Sequence, residues 1–212
     1  MSKIHVSYNQ IHTMIKETVD SMHLNEDFQP DIMVAIGGGG FIPARILRTF
    51  LKKKNNKNIS IQAIGLSLYE DLEIWKASHK DDETPIAAEP EVIKTQWLNF
   101  DSSETSLIGR NILIVDEVDD TRRTLAYAVR ELAKDLELES QKLRAQGKEV
   151  PETKIGVFVL HNKLKEKREE LPKEIMDSRY FACKQMPDQW LVYPWDALDI
   201  EDHTEKSKDN IY

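Results

Sequence analysis

The feature that most constrains the fold is a set of three short, continuous apolar runs, over residues 31–36, 111–115 and 155–160. Runs of this length with few polar interruptions are typical of strands covered on both faces, as in parallel sheets. Apolar residues at helical spacing precede the first run and follow the first and second. Because strand and helix patterns alternate, the sequence predicts an α/β fold whose parallel sheet is flanked by helices on both faces.

Length and composition place the chain among ordinary globular proteins. Its 212 residues suffice for one domain, and the mix of 40% hydrophobic and 31% charged residues excludes collagen, coiled coils and wholesale disorder. No apolar run approaches the roughly 20 residues needed to span a bilayer, and the first residues lack a signal peptide's apolar block. We therefore expect a cytoplasmic protein with no membrane partner, whose single cysteine, Cys183, is a small core residue.

The net charge of the chain bears on whether its partner is a nucleic acid. The 29 basic and 37 acidic residues give a net charge of −8, which argues against nucleic-acid binding because phosphate neutralisation needs a basic surface. One stretch, 45–57, carries six basic residues and no acid. A solvated helix end explains it, with an RNA-binding patch as the alternative. The acidic stretch 70–91 is too long for an ordinary connection and predicts a functional or mobile loop.

Four consecutive glycines, residues 37–40, separate the first predicted strand from the helix that follows it. Glycine lets backbone N–H groups approach an anion closely, and a helix N-terminus favours negative charge. The spacing matches neither the dinucleotide-binding fingerprint nor the P-loop. An anion-binding turn and a flexible turn without a ligand both stay open on this motif alone.

The end of the second apolar run is followed by more side chains that could bind a ligand. Four carboxylates crowd the residues directly after it: Asp116, Glu117, Asp119 and Asp120. Their mutual repulsion needs relief from hydroxyl donors or a cation, and Mg²⁺ prefers such oxygen ligands and often brings phosphate with it. Four residues suited to a phosphate open the next helix: Thr121, Arg122, Arg123 and Thr124. Ligands of parallel sheets bind beyond the carboxyl ends of the strands, so both strand ends should face one crevice. A solvated acidic loop before a capped helix is the alternative.

The stretch ILIVDEVDDTRRTL, residues 112–125, resembles the ribose-phosphate signature of the type I phosphoribosyltransferases. AIGGGGFIPARILRTFL is similar to that family's pyrophosphate loop, and SLYEDL, from Ser67, to the start of its mobile catalytic loop. PDQWLVYPWD, residues 187–196, resembles the base-binding hood of the 6-oxopurine members, in particular the fungal hypoxanthine-guanine and xanthine enzymes. The resemblance implies the type I fold, with a core over 28–163 and a small hood built from the terminal segments, 1–27 and 164–212.

The implied reaction joins hypoxanthine, guanine or xanthine to phosphoribosyl pyrophosphate, giving the nucleoside monophosphate and pyrophosphate with Mg²⁺ as cofactor. The resemblance also suggests a homodimer. On the sugar side, Asp116 and Glu117 match the acids that hold the ribose hydroxyls, and Asp120 matches the catalytic carboxylate near the purine N7. The 5′-phosphate loop matches Thr121, Arg122, Arg123 and Thr124, and the pyrophosphate loop matches Gly37, Gly38 and Gly39.

On the base side, Lys163 matches the lysine that donates to the purine O6, and Trp190 matches the aromatic residue that stacks on the base. Leu191 and Asp196 match residues near the exocyclic edge. The implied metal ligands are Asp116, Glu117 and Asp196, and the implied mobile loop begins at Ser67 and Tyr69. A solvated surface position for Lys163 and a core position for Trp190 are the alternatives from the residues alone.

Two departures from the family pattern stand out. Gly37 and Gly38 occupy positions where several relatives carry a cation beside the pyrophosphate. Either the backbone and the metal therefore neutralise more of its charge, or Arg45 or a partner subunit supplies a cation. Arg122 replaces the usual glycine of the phosphate loop. The competing hypothesis is a regulatory protein that keeps the fold but senses nucleotides or phosphoribosyl pyrophosphate.

Overall fold

The structure is a computed structural model that describes residues 3–51, 58–68, 92–99 and 106–209. The strands in these ranges are β1 (Lys3–His5), β2 (Ile32–Gly37), β3 (Ser60–Leu68), β4 (Val92–Gln96), β5 (Asn111–Asp119), β6 (Lys154–Lys163), β7 (Tyr180–Met186) and β8 (Trp190–Val192). The helices are α1 (Tyr8–Ser21), α2 (Phe41–Phe50), α3 (Arg123–Ala145), α4 (Lys173–Ser178) and α5 (Ile200–Ser207). Within the described part of the chain, no helix combines the length and the apolarity required to cross a membrane.

Six strands form one sheet in the order β4-β3-β2-β5-β6-β7. All neighbouring pairs are parallel except β3 and β4, which are antiparallel. The prediction of an α/β fold with a mostly parallel sheet is confirmed. The three apolar runs form its centre, because β2, β5 and β6 are adjacent.

Helices cover both faces of the sheet. Alternate residues of β5 belong to two different apolar clusters, Leu113 and Val115 to one, Ile112 and Ile114 to the other. The first cluster includes apolar side chains of α1 and α2, and the second includes the stripe of α3. That stripe consists of four residues at helical spacing after the second apolar run: Leu125, Val129, Leu132 and Leu136. Cys183 packs against the first cluster, and burial raises the pKa of its thiol to about 12.

A second, two-stranded sheet joins the two ends of the chain. β1 pairs in parallel with β8, and Ile4 lies opposite Leu191. Helix α5 supports this pair, since His203 Nε2 lies 3.0 Å from the carbonyl oxygen of Val6. The prediction of a small hood built from the terminal segments is confirmed. The division at residue 163 stays a prediction, and β7, which lies beyond it, is an edge strand of the main sheet.

Two central strands are longer than the sequence predicts. β5 continues through Asp119 and β6 through Lys163, so both extend into the residues assigned to the site. The acidic residues that were expected in a turn therefore lie mostly on the end of a strand. Strand geometry gives these side chains alternating directions, which separates carboxylates that are adjacent in sequence.

Candidate active site

The glycine loop connects the end of β2 to the start of α2. The peptide bond between Gly37 and Gly38 is cis. A side chain on Gly39 would overlap the carboxylate of Glu117, and one on Gly40 would overlap the carbonyl oxygens of Val115 and Ile36. The loop therefore lies directly against β5, and its backbone approaches the acidic strand end because no side chains intervene.

Both predicted strand ends line one cavity of about 270 Å³. Its walls come from the glycine loop, from the end of β5 and from the first residues of α3: Gly37, Gly38, Gly39, Asp116, Glu117, Asp120, Thr121, Arg122, Arg123 and Thr124, with Ile36, Leu66, Val118 and Leu125. The first N–H groups of a helix have no partner within the helix and so suit an anion. The expected crevice at the carboxyl ends of the strands is present. A larger groove of about 910 Å³ along α3 shares no residue with it.

Asp116 and Glu117 provide a paired carboxylate at the cavity wall. Asp116 is buried and accepts a hydrogen bond from the Glu117 backbone N–H at 2.9 Å. Burial, reinforced by the charge of Glu117, raises the pKa of Asp116 well above its ordinary value. Glu117 Oε2 is buried without a hydrogen-bond partner in the described part of the protein. An oxygen atom in that position suits a cation or a hydroxyl donor.

These two carboxylates fit Mg²⁺, which is commonly held by one or two protein carboxylates together with substrate phosphates and water. Asp196 lies in a 3₁₀ turn, Pro194–Asp196, and its side chain is exposed. Nowhere in the described ranges do three His, Cys, Asp or Glu side chains converge as a metal site would require. The structure thus does not gather Asp196 with Asp116 and Glu117.

Asp119 does not line the cavity and instead anchors a buried network. It is fully buried, and Arg122 donates to its Oδ2 from Nε at 3.0 Å and from Nη2 at 2.8 Å. The Tyr180 hydroxyl donates to the same oxygen at 2.6 Å. Burial, together with the charge of Asp119, raises the pKa of Tyr180. The guanidinium of Arg122 is therefore committed to Asp119, although Arg122 also contributes to the cavity wall.

The segment after β6 is hydrogen-bonded to the backbone at the end of β5 and just after it. Lys167 Nζ donates to the backbone carbonyls of Asp119 at 2.8 Å and of Asp120 at 2.9 Å. The N–H of Arg168 donates to the carbonyl of Thr121 at 3.0 Å. These bonds fix the backbone of residues 119–121, directly before Arg122, whose φ of 69° lies in the left-handed region.

Asp120, the first residue after β5, contacts two lysines at and after the end of β6. Its carboxylate contacts Lys163 Nζ at 3.0 Å and Lys165 Nζ at 2.9 Å. Burial alone would raise the pKa of Asp120, but the hydrogen bonds from Lys165 and Lys163 outweigh it and lower the pKa below the ordinary value. Asp120 is therefore ionised at neutral pH. Lys163 is 11% exposed, so it is not a solvated surface amine.

The hood presents its aromatic residues in two different ways. Trp190 on β8 is 60% exposed, which leaves a ring face available to a ligand. Trp195 instead stacks on Tyr193 with ring centres 4.7 Å apart and 6° between the planes. Tyr193 is buried, donates to the carbonyl of Glu117 at 3.1 Å, and contacts His161 Nδ1 at 2.9 Å. Through Tyr193, the hood is bonded to the acidic end of β5.

Residues 4–196 match the phosphoribosyl transferase domain. The chain belongs to the phosphoribosyltransferase family. It is 52% identical to the hypoxanthine-guanine phosphoribosyltransferase of Schizosaccharomyces pombe over 202 residues, which are 95% of this chain and 92% of that protein. It is 51% identical to xanthine phosphoribosyltransferase 1 of Saccharomyces cerevisiae over 210 residues, 97% and 95% of the two chains. The predicted family and the predicted resemblance to these fungal enzymes are confirmed.

A solved structure is similar over nearly the whole length of this phosphoribosyltransferase. It is a hypothetical protein from Neisseria gonorrhoeae with bound ppGpp, with a TM-score of 0.72 and 36% sequence identity. The alignment covers 98% of this chain and 97% of the Neisseria chain.

Most of the predicted site residues of this phosphoribosyltransferase come together, and their individual roles stay predictions. The sugar and phosphate residues share the cavity, and Lys163 is joined to it through Asp120. Leu191 is partly buried against the first apolar cluster. Ser67 is exposed on β3, while Tyr69 lies outside the described residues, as do residues 70–91.

Sequence reasoning missed several residues that contact the predicted site residues or the backbone beside them: Lys165, Lys167, Tyr180 and Asp188. A signal for two of them exists, because lysines recur at every second position from 163 to 167, at and after the end of β6. Tyr180 and Asp188 carry no local signal, since their partners are distant in sequence.

Proposed function

We propose that this phosphoribosyltransferase transfers the phosphoribosyl group of phosphoribosyl pyrophosphate to a 6-oxopurine in purine salvage. The products are the nucleoside monophosphate and pyrophosphate. The observation that carries the proposal is the single cavity shared by the glycine loop and the acidic end of β5, joined through Asp120 to Lys163. The names of the two fungal relatives support the same substrate class.

The sugar phosphate is held at both ends. Thr121, Thr124 and the first N–H groups of α3 bind the 5′-phosphate, because this helix end offers donors and favourable dipole charge. The N–H groups beside Gly38 and Gly39 face the pyrophosphate from the opposite wall. Glu117 and Asp116 accept from the ribose hydroxyls. The substrate is thus fixed with its anomeric carbon directed toward Asp120.

The base is recognised by three groups. Trp190 stacks on its face, Lys163 donates to the 6-oxo oxygen, and Asp120 accepts the proton from N7 as N9 attacks the anomeric carbon. The carbon–oxygen bond to pyrophosphate breaks as the carbon–nitrogen bond forms. Lys163 discriminates against 6-amino purines because an amino group would leave its partly buried charge facing a donor.

Asp116 and Glu117 are the residues that would hold Mg²⁺. When bound, Mg²⁺ stabilises the charge that develops on the leaving pyrophosphate. The glycine loop adds oriented N–H groups for the same charge, and such preorganised donors act strongly where water is excluded. We propose that Asp196, which is exposed and apart from this pair, contacts the base edge rather than the metal.

Base preference among hypoxanthine, guanine and xanthine is proposed to be broad. One fungal relative is named for hypoxanthine and guanine and the other for xanthine, and their identities to this chain are nearly equal. We further propose a homodimer in a reducing cytosolic compartment. The single cysteine, partly buried and with a raised pKa, fits such a compartment.

The test is to mix the purified protein with Mg²⁺, phosphoribosyl pyrophosphate and each base in turn. Pyrophosphate release with hypoxanthine, guanine or xanthine, and none with adenine, is the expected result. Competition between the three 6-oxopurines then ranks them. Release of pyrophosphate with adenine alone, or with no base, would exclude the proposal.

A regulatory, nucleotide-sensing function is the second candidate. It is favoured by one observation, the bound ppGpp of the Neisseria relative at 36% identity. A sensor would bind ppGpp or phosphoribosyl pyrophosphate in a calorimetric titration but would release no pyrophosphate with any base. An active enzyme releases pyrophosphate under the same conditions, so the two candidates give opposite results in one assay.

A further inference from the structure

Four charged side chains form a closed ring on the base side of the site. Lys163 Nζ lies 3.0 Å from Asp120 Oδ2 and 3.4 Å from Asp188 Oδ1. Lys165 Nζ lies 2.9 Å from Asp120 Oδ1 and 2.9 Å from Asp188 Oδ2. Each lysine contacts both carboxylates, and each carboxylate uses one oxygen for each lysine. The two positive and two negative charges balance.

The ring connects three separate parts of the fold. Asp120 follows β5, the two lysines lie at and after the end of β6, and Asp188 lies in the short connection between β7 and β8. Asp188 is two residues before Trp190, the predicted stacking residue. The ring therefore joins the carboxylate that faces the reacting atoms to the segment that carries the base-stacking ring.

The ammonium of Lys163 has two competing sets of partners in this arrangement. It neutralises Asp120 and Asp188, and in the proposed reaction it must also donate to the 6-oxo group of the base. When its ammonium turns toward the base, its contacts with the two carboxylates weaken. Without another cation, the carboxylates would then repel each other and pull Lys163 back.

We propose that Lys165 and Asp188 are positioning residues that release Lys163 to the 6-oxo group while holding Asp120 in place. Lys165 bridges both carboxylates through contacts of equal length, so the ring stays neutralised when Lys163 turns toward the base. Hydrogen bonds to Asp120 and Asp188 also raise the pKa of Lys165, which keeps it charged. This inference rests on the proposed function, because it assigns a ligand to Lys163.

Removing Lys165 should weaken base binding selectively. In Lys165→Met, two carboxylates share one ammonium, so Lys163 is held more tightly and the base must compete with both. We expect the KM for hypoxanthine to rise about tenfold, the scale of coupled ion pairs. The KM for phosphoribosyl pyrophosphate should change less than about twofold, because Lys165 pairs with Asp120 and Asp188 and, in the described part of the protein, with neither Asp116 nor Glu117.

The decisive variant restores the charge balance. Lys165→Met combined with Asp188→Asn leaves one lysine facing one carboxylate, so the KM for hypoxanthine should return to within about threefold of the wild-type value. Lys165→Arg should behave like the wild type. Lys173→Met is the matched control, because Lys173 is 89% exposed and pairs with Asp177, one turn away on the same helix, at 3.1 Å.

The outcomes distinguish a failure of the positioning role from a failure of the proposed function. If the wild-type protein is active and the KM for hypoxanthine in Lys165→Met equals the wild-type value, the positioning role is wrong. An equal rise in both KM values, or a double variant no better than Lys165→Met, shows a general structural role and overturns it as well. A wild-type protein that releases no pyrophosphate with any base refutes the proposed function itself, and the inference with it.

Discussion

The guanidinium of Arg122 is bound twice to the buried carboxylate of Asp119, while the backbone of Arg122 is left-handed with φ of 69°. Glycine adopts this conformation freely, whereas other residues lose about 1–2 kcal/mol in it. The ion pair, the Tyr180 ring and the backbone bonds of Lys167 stabilise the conformation here. The Arg122 side chain thus stabilises a left-handed backbone conformation that glycine, the usual residue of the family pattern, adopts without such contacts.

Arg122→Gly should therefore destabilise the protein even though it relieves the backbone. The lost pair with a fully buried carboxylate outweighs the backbone gain, and we expect a net loss of about 1–3 kcal/mol. Arg122→Ala should cost more, because it keeps the unfavourable φ. Urea unfolding measures both, with Arg130→Ala as control, since Arg130 is 48% exposed and lies 3.6 Å from Glu169. A more stable Arg122→Gly protein would contradict this account.

Gly39→Ala should impair substrate binding without unfolding the protein. The new methyl group overlaps the Glu117 carboxylate, which is the end of a flexible side chain and can move away. Its displacement removes a predicted ribose and metal ligand, so we expect the KM for phosphoribosyl pyrophosphate to rise about tenfold or more. The melting temperature should change little. Adding Glu117→Asp, which shortens the side chain, should recover part of the affinity, and a double variant that is worse than both single ones would contradict the steric explanation.

Asp120→Asn should lower turnover by roughly a hundredfold or more, the scale of a lost acid–base group. The amide cannot accept the N7 proton, while its size and the backbone bonds from Lys167 are preserved. Steady-state kinetics should show a small change in the KM for phosphoribosyl pyrophosphate. Unchanged turnover would refute the general-base role of Asp120.

Trp190→Ala should weaken base binding and leave stability almost unchanged. Stacking contributes about 1–3 kcal/mol per base, which corresponds to a KM about five to 150 times higher for the purine. The ring is 60% exposed, so its loss removes little packing. Trp195→Ala is the contrasting variant, because Trp195 stacks on buried Tyr193 and its loss should lower the melting temperature. Equal effects of the two variants on stability would refute the distinction.

His161 should make stability depend on pH in the mildly acidic range. Burial, with the nearby charge of Lys184, lowers the pKa of His161 to about 4, whereas an unfolded histidine titrates near 6.5. Between these values the unfolded chain binds a proton that the folded protein excludes. The contribution of neutral His161 to the free energy of unfolding is therefore complete above pH 6.5. It is lost as the pH falls toward 4, by up to about 1.4 kcal/mol per pH unit.

His161→Gln should flatten this dependence. The free energy of unfolding of the wild type minus that of the variant, measured in urea, should be larger at pH 7.5 than at pH 5. The variant loses the contact to Tyr193 at both values, so the change with pH isolates the ionisation. A constant difference would show that His161 does not titrate in this window.

Much of the fold follows from local patterns. The strands β2, β5 and β6 are apolar on both faces, and the α3 stripe repeats at helical spacing, so neighbouring residues alone identify them. The common location of the glycine loop and the acids also follows, because the carboxyl ends of parallel strands share an edge.

The distribution of the carboxylates could not be predicted in the same way. Asp119 and Asp120 are adjacent, yet one is buried against Tyr180 and the other faces Lys163. This division depends on β5 continuing to Asp119 and on partners from β6 and β7, far along the chain. The same distance hides the ring contact of Asp188. Burial of a charge is set by tertiary partners, which a local pattern does not contain.

The pairing of β1 with β8 has a consequence for how the molecule is made. Lys3 leaves the ribosome long before its partner, Trp190, which follows all the described strands of the main sheet. During synthesis those strands can associate in turn as they emerge, whereas β1 stays without its partner until β8 has been made. The residues predicted to bind the sugar phosphate can thus be in place before the strand that carries Trp190 is added.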